Sequence, residues 1–173
     1  AHNSINSLEA SLDSDFGAPS VKESAEGLLS AIRGMLSTHS TDGDFTLGHA
    51  EVDSGVTALA SRLFDLFADL DLSGPKNLGL SALEARRLGE LAHLIGGDGW
   101  ARACYKEVAT SLAPGNLAAM RCLAALARDA GDVEAEAHWV TEQLSQVPDD
   151  ESLLRRLSLL DPETAERNVK RLE

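Results

Sequence analysis

The stretch that decides the fold, residues 96–148, reads GGDGWARACYKEVATSLAPGNLAAMRCLAALARDAGDVEAEAHWVTEQLSQVP. The stretch contains the same pattern twice, at a spacing of 34 residues. The coincident positions are Gly97-Asp98 with Gly131-Asp132, Ala101 with Ala135, Tyr105 with Trp139, and Pro114 with Pro148. Self-similarity at a fixed period of this length is the sequence signature of a protein built from stacked helical hairpins.

Each copy of the pattern predicts a pair of helices. In residues 117–130 the apolar side chains recur at the three- and four-residue steps that line one side of a helix. Gly131 can take the left-handed conformation that ends this helix, and Asp132 can cap the next one, which is predicted over 133–147. The preceding copy predicts helices over 83–95 and 100–112. Since one hairpin cannot bury its apolar face alone, we expect the hairpins to stack.

The pattern resembles the tetratricopeptide repeat (TPR) family over residues 81–160, roughly half the chain. The residues that support the resemblance are a leucine followed by a small residue in the first helix, an alanine followed four residues later by an aromatic in the second helix, and the closing prolines: Leu123-Ala124, Leu157-Ser158, Ala101/Tyr105, Ala135/Trp139, Pro114 and Pro148. The first unit departs from the family pattern, with Arg86, Gly89 and Glu90 where large apolar and small residues are usual. The resemblance implies an all-α fold in which antiparallel helix pairs stack as a short right-handed TPR-like α-solenoid.

The rest of the chain predicts an N-terminal helical pair ahead of the repeats. Residues 1–19 are either a mobile tail or a short amphipathic segment that docks on a partner or on its own domain. Helices are predicted over 20–36 and 50–70, and the break at 73–79 separates them from the repeats. The predicted domains are the tail 1–19, the helical pair and hinge 20–79, and the repeats with a C-terminal capping helix 80–173.

The composition is strongly acidic, with a formal net charge of −13 over 173 residues. Such a surface repels nucleic acids and anionic membranes, so we expect neither as a partner. No stretch reaches the roughly 20 apolar residues that span a bilayer, and no secretory signal is visible. These observations predict a cytoplasmic protein, with a targeting segment removed ahead of Ala1 as an open alternative.

The sequence offers no set of residues that predicts catalysis. It has no glycine-rich phosphate loop, nucleophile elbow or Cys-His ligand cluster, and its histidines are scattered. The histidine and acidic residues of 39–53 match no compact metal-ligand pattern. We therefore expect a protein that is not an enzyme and that has no cofactor and no metal. Cys104 and Cys122 are interpreted as two reduced core thiols, with a disulfide between consecutive helices as the alternative.

Arginines recur at the repeat period in this acidic chain. Arg87, Arg121 and Arg155 are 34 residues apart, and the neighbouring arginines on the same helices are Arg86, Arg128 and Arg156. In the TPR proteins that the chain resembles, this place on the first helix faces the concave groove in which peptides lie. Arginine suits such a groove because its planar fork forms two-point hydrogen bonds with carboxylates. The alternative interpretation is a set of solvated arginines paired with the abundant Asp and Glu residues.

The predicted function is a non-catalytic protein–protein interaction adaptor. Its concave repeat groove would bind a peptide segment of a partner, and the arginines favour a segment that is acidic or ends in a free carboxylate. The alternative function is a structural or oligomerisation module, or the docking part of a larger assembly or enzyme. This alternative rests on the wide apolar stripe of the helix over 50–70, which either packs between neighbouring helices or mediates self-association.

Overall fold

The computed structural model describes residues 54–170 together with the isolated helical residues Gly27 and Ser30. The predicted tail 1–19 and most of the predicted helix 20–36 therefore lie outside the described residues. Over 54–170 the chain forms seven α-helices and no β-strand, which confirms the all-α prediction for this range. The helices are α1 (Ser54–Asp69), α2 (Ala82–Leu94), α3 (Asp98–Glu107), α4 (Leu117–Asp129), α5 (Val133–Gln146), α6 (Glu151–Leu160) and α7 (Pro162–Lys170).

The helices after α1 form three successive pairs. α2 packs on α3, α4 on α5, and α6 on α7, and we call these pairs the first, second and third units. Because α3 also packs on α4, and α5 on α6, consecutive units are joined through helices that are neighbours in sequence. One core cluster joins α1, the first unit and α4, and a smaller cluster joins α4, α5 and α6.

Side-chain caps fix where the first helix of each unit begins. The Ser81 hydroxyl accepts the backbone N–H of Glu84 at 3.2 Å, and the Glu84 carboxylate accepts the backbone N–H of Ser81 at 2.8 Å. This reciprocal pair is a capping box. The side chains of Asn116 and Asp150 each accept the backbone N–H three residues ahead, at 2.9 and 3.0 Å.

Glycines in the left-handed region end the first helix of two units. Gly96 has a φ of 77° and Gly131 a φ of 70°. The backbone N–H of the following residue, Gly97 or Asp132, donates to the carbonyl five residues earlier at 2.8 or 2.9 Å. This geometry is the Schellman motif, in which only the first residue of the turn requires a positive φ. The counterpart of Gly131 is therefore Gly96, and the predicted match with Gly97 is wrong by one residue.

The period between the first and second units is 35 residues, one more than the sequence pattern predicts. The caps Ser81 and Asn116 are 35 residues apart, whereas Asn116 and Asp150 are 34 apart. The buried positions of α2 recur in α4 at the same offset of 35: Ala85 with Met120, Leu88 with Leu123, Gly89 with Ala124, and Ala92 with Ala127. The leucine–small-residue pair of the first unit is thus Leu88-Gly89, and the departure noted at Gly89 and Glu90 disappears in the corrected register.

The extra residue lies in a single wide turn at the end of the first unit. Residues Val108–Leu112 form a π-helical turn, and the backbone N–H of Ala113 donates to the Val108 carbonyl, five residues back, at 2.9 Å. In the second unit the corresponding bond runs from Val147 to the Gln143 carbonyl, only four residues back, at 3.0 Å. A one-residue insertion in a helix is commonly accommodated as such a π-bulge. Positions before the turn therefore match at 35 residues and positions after it, such as the closing prolines, at 34.

The register change corrects the predicted equivalence of Tyr105 and Trp139. Tyr105 is 1% exposed, and its counterpart at an offset of 35 is the equally buried Val140. Trp139 is only partly buried and meets the His138 ring edge-on, with ring centroids 4.8 Å apart. The aromatic core position of the first unit is therefore aliphatic in the second.

Aromatic stacking attaches α1 to the first unit. The rings of Phe67 and Trp100 stack with centroids 4.6 Å apart, and Phe64 meets Trp100 edge-on at 5.4 Å. α1 also packs on α2, as predicted for the helix over 50–70, while its other predicted neighbour, 20–36, falls mostly outside the described residues. Leu63 and Phe67 are buried within the chain's own core.

The predicted hinge at 73–79 is a packed connection. Residues Pro75–Asn77 form one 3₁₀ turn that packs on α3, and Pro75 and Leu78 are buried. This connection joins α1 to the first unit through buried contacts.

We expect Gly89→Ala to destabilise the chain. A Cβ on Gly89 would lie 3.0 Å from Cε1 of Tyr105 and 3.1 Å from Cβ of Cys104, and both of these side chains are buried. Overpacking of this kind costs about 1–3 kcal/mol, which outweighs the gain of roughly 1 kcal/mol in helix propensity. Gly99→Ala is the matched control, because a Cβ there meets nothing within 4 Å. The free energy of unfolding in urea should fall for the first variant only, and an unchanged value for Gly89→Ala would contradict the proposed close packing.

Candidate binding site

A buried carboxylate links three helices of the second and third units. Glu136 on α5 is 2% exposed and accepts a hydrogen bond from Nε of Arg128 on α4 at 2.7 Å. Arg156 on α6 donates to the same carboxylate twice, from Nε to Oε1 and from Nη2 to Oε2, both at 2.8 Å. This bidentate pairing is the strongest geometry available to arginine and carboxylate, so it holds α6 in register with α5.

The position of Glu136 explains why it needs two arginines. Its counterpart in the first unit is the fully buried Ala101, so the second unit places a charge where the first has a methyl group. A buried carboxylate is costly unless it is paired and hydrogen-bonded. The hydrogen bonds from Arg156, with those from Arg128, hold the pKa of Glu136 below its usual value against the opposing effect of burial. The carboxylate therefore stays ionised at neutral pH.

Three of the six predicted arginines converge on one cavity. A cavity of about 400 Å³ lies between α4, α5 and α6, and Arg121, Arg128 and Arg156 line it. Its apolar wall includes Ala124, Val140 and Leu153. The cavity thus combines a cationic rim with apolar walls, a combination that suits an anionic ligand with an apolar body.

The arginines at this cavity keep donors for a ligand. A guanidinium has five N–H donors, and the bonds to Glu136 use one from Arg128 and two from Arg156. Arg121 is exposed and forms no ion pair with any other residue that the structure describes. Three cations and one carboxylate at the cavity give a local positive charge, although the whole chain is acidic.

The other three predicted arginines lie elsewhere. Arg86 on α2 forms an ion pair with Glu90 at 3.4 Å, and Arg87 lies next to it on the same helix. Arg155 is exposed on α6 and does not line the cavity. In the corrected register Arg86, Arg121 and Arg155 are equivalent, so the predicted ladder through Arg87 is wrong by one residue at its first position. Whether Arg86, Arg87 and Arg155 contact a partner stays a prediction.

The place in the first unit that corresponds to the cavity is filled by Tyr105. Its ring lies against Gly89, and its hydroxyl is buried beside the Cys122 thiol with no nitrogen or oxygen partner among the described residues. Burial raises the pKa of Cys122, and it raises the pKa of Glu90 against the opposing charges of Arg86 and Arg87. The first unit therefore has a closed interior where the second is open.

Both cysteines are free thiols, which agrees with the predicted reduced state. Cys104 is buried and Cys122 is partly buried. Burial raises the pKa of Cys104 to about 12, so it stays protonated and unreactive at neutral pH.

Gln143 is a second buried polar residue that the sequence analysis did not select. It is 2% exposed, lines the cavity, and donates from Nε2 to the Trp139 carbonyl at 3.2 Å. Its Oε1 accepts no hydrogen bond from any residue that the structure describes. Glu136 and Gln143 are seven residues apart, a helical repeat that marks one face of α5, and this spacing was the signal available in the sequence.

Comparisons with known proteins do not identify the chain. No protein-family model, no curated protein and no solved structure matches it. Within 54–170 there is no helix long and apolar enough to cross a membrane. The described part of the chain also holds no group of three or more His, Cys, Asp or Glu residues arranged to hold a metal ion.

We expect Glu136→Gln to lower stability at neutral pH. The variant removes the charge that pairs with Arg128 and Arg156, and hydrogen bonds to charged groups contribute about 1–3 kcal/mol. Because folding lowers the pKa of Glu136, its contribution is present above the unfolded value of 4.5 and is lost as the pH falls through the folded value.

Unfolding in urea at neutral and at acidic pH measures this effect. The difference between wild type and Glu136→Gln should be large at neutral pH and should shrink well below pH 4.5. Glu142→Gln, on the same helix and outside the arginine pair, is the matched control and should change stability little. A difference for Glu136→Gln that stays constant with pH would show that the charge of Glu136 is not what stabilises the fold.

Proposed function

We propose that the chain is a non-catalytic protein–protein interaction adaptor that binds an acidic or carboxylate-terminated segment of a partner protein. The observation that supports this proposal most directly is the convergence of Arg121, Arg128 and Arg156 on one cavity of an acidic protein. A local cationic site on a negative surface attracts a complementary anionic segment and excludes cationic ones. Arginine forks also supply directional hydrogen bonds to carboxylates.

The proposed scaffold is a short TPR-like α-solenoid. Three features support it: helix pairs at a period of 34 or 35 residues, contacts between neighbouring helices, and a leucine–small-residue pair on the first helix of each unit. These pairs are Leu88-Gly89, Leu123-Ala124 and Leu157-Ser158. A stack of such units presents the first helices of successive units side by side, and extended binding surfaces form in this way.

Among the three arginines at the cavity, Arg121 is the one whose role a variant can test. Arg128 and Arg156 hold the buried Glu136, so removing either would also disturb the packing of α4, α5 and α6. Arg121 is exposed and its ion pairing is not needed by the described fold, so an alanine there should leave folding intact. Binding measured on this variant therefore reports on the ligand rather than on stability.

We expect Arg121→Ala to weaken the binding of acidic peptides. The measurement uses an immobilised peptide library in which acidic and neutral sequences of equal length are matched, with and without a free C-terminal carboxylate. Wild type should select acidic peptides, its binding should weaken as salt rises, and Arg121→Ala should lose about 1–3 kcal/mol of affinity.

Arg102→Ala is the matched control for this experiment. Arg102 is exposed on α3, away from the cavity, and removing it changes the net charge by the same amount. Retained binding in this variant would exclude a non-specific effect of charge. Equal binding of acidic and neutral peptides to wild type, or unchanged binding by Arg121→Ala, would refute the proposed function.

A further inference from the structure

The first unit contains, within its own interior, a bound phenol ring. Tyr105 reaches from α3 to the face of α2, where Gly89 leaves room for its ring. Its hydroxyl end lies near Cys122 of α4 and near Glu90, and Cys122 in turn lies near Arg86. The ring is fully enclosed, since Tyr105 is 1% exposed.

The residues around this ring have counterparts in the second unit, and each counterpart lines the cavity. At an offset of 35 before the π turn and 34 after it, the pairs are Gly89 with Ala124, Glu90 with Ala125, Arg86 with Arg121, Tyr105 with Val140, and Cys122 with Arg156. The cavity is therefore the space that a tyrosine side chain fills in the first unit. It is open in the second unit because valine stands at the tyrosine position and alanine at the Glu90 position.

We infer that this cavity takes a tyrosine side chain of the partner's acidic segment, an inference that rests on the proposed function and names the anchor of that segment. The ring would lie between Ala124, Val140 and Leu153, in the place that Tyr105 occupies one unit earlier. The guanidinium groups at the rim favour an aromatic ring over an aliphatic chain, because a cation is attracted to the face of an aromatic ring. The acidic neighbours of the tyrosine pair with Arg121 at the rim.

The polar groups of the cavity match a phenol hydroxyl. Gln143 offers a buried acceptor, Oε1, that no described residue satisfies, and Arg156 offers N–H donors. A phenol hydroxyl both donates and accepts, so it can satisfy the two groups at once. Phenylalanine can satisfy neither and tryptophan only the acceptor. An unsatisfied buried acceptor is costly, so the ligand that satisfies it gains selectivity over one that does not.

Two small probes that differ by one hydroxyl test the inference on the full chain. They are para-hydroxyphenylpropionate, with a phenol and a carboxylate, and phenylpropionate, which lacks the hydroxyl. Ligand-observed NMR titration should show binding of the phenol at least about tenfold tighter than binding of phenylpropionate. Gln143→Leu should remove this difference while the weaker binding of phenylpropionate remains.

A variant that fills the cavity from within provides the second arm. Ala124→Gly combined with Val140→Tyr copies the arrangement of the first unit and should abolish binding of both probes. A melting temperature at or above that of wild type shows that the filled variant is folded. Arg102→Ala should bind both probes as wild type does.

Three results would overturn the inference: equal affinity of wild type for the two probes, no binding of either probe, or undiminished binding by a folded, filled variant. None of these touches the proposed function, because acidic peptides without tyrosine test that function through Arg121 alone. Conversely, probe binding without any selection of acidic peptides would leave the tyrosine cavity and remove the adaptor function.

Discussion

The buried carboxylate of Glu136 is the interaction on which the second half of the structure depends. It lies where the first unit has the methyl group of Ala101, and it joins α4, α5 and α6 through Arg128 and Arg156. Removing one partner of such a group leaves an uncompensated charge, so the three residues act as a unit. The same bonds set the orientation of two guanidinium groups at the cavity. Stability and the candidate binding site therefore share one set of contacts in this half of the chain.

Most of the fold could be predicted from the sequence because its signals are local. Apolar spacing identifies the helices, and residues that favour caps or left-handed turns, such as Asn116 and Gly131, mark their ends. The register could not be predicted, since a π turn has no distinctive local sequence and Val108–Leu112 reads as ordinary helix. Chance matches at 34 residues, Ala101 with Ala135 among them, then supported the wrong alignment.

The candidate site could be predicted only in part for the same reason. All three arginines that line the cavity were selected from the sequence, because cations stand out in an acidic chain. Their convergence depends on how α4 and α6 approach each other, which no local pattern encodes. Glu136 and Gln143 were missed because a register error of one residue moves each of them off the buried face of α5. Val140 was missed because an aliphatic residue at an aromatic position has meaning only once the two units are aligned.

The difference between the first two units is a difference in who supplies the aromatic ring. Both pack a small residue, Gly89 or Ala124, opposite the site, and that smallness is what leaves room for a ring. In the first unit Tyr105 fills the room, with neutral Cys122 near its hydroxyl, so the space contributes only to the core. In the second unit the shorter Val140 leaves the room open, and Arg156 stands at the Cys122 position. An open apolar space forfeits packing contacts, and a cationic group at its end does nothing to restore them. The pairing of that loss with a positive rim is what distinguishes a site for a ligand from an imperfectly packed core.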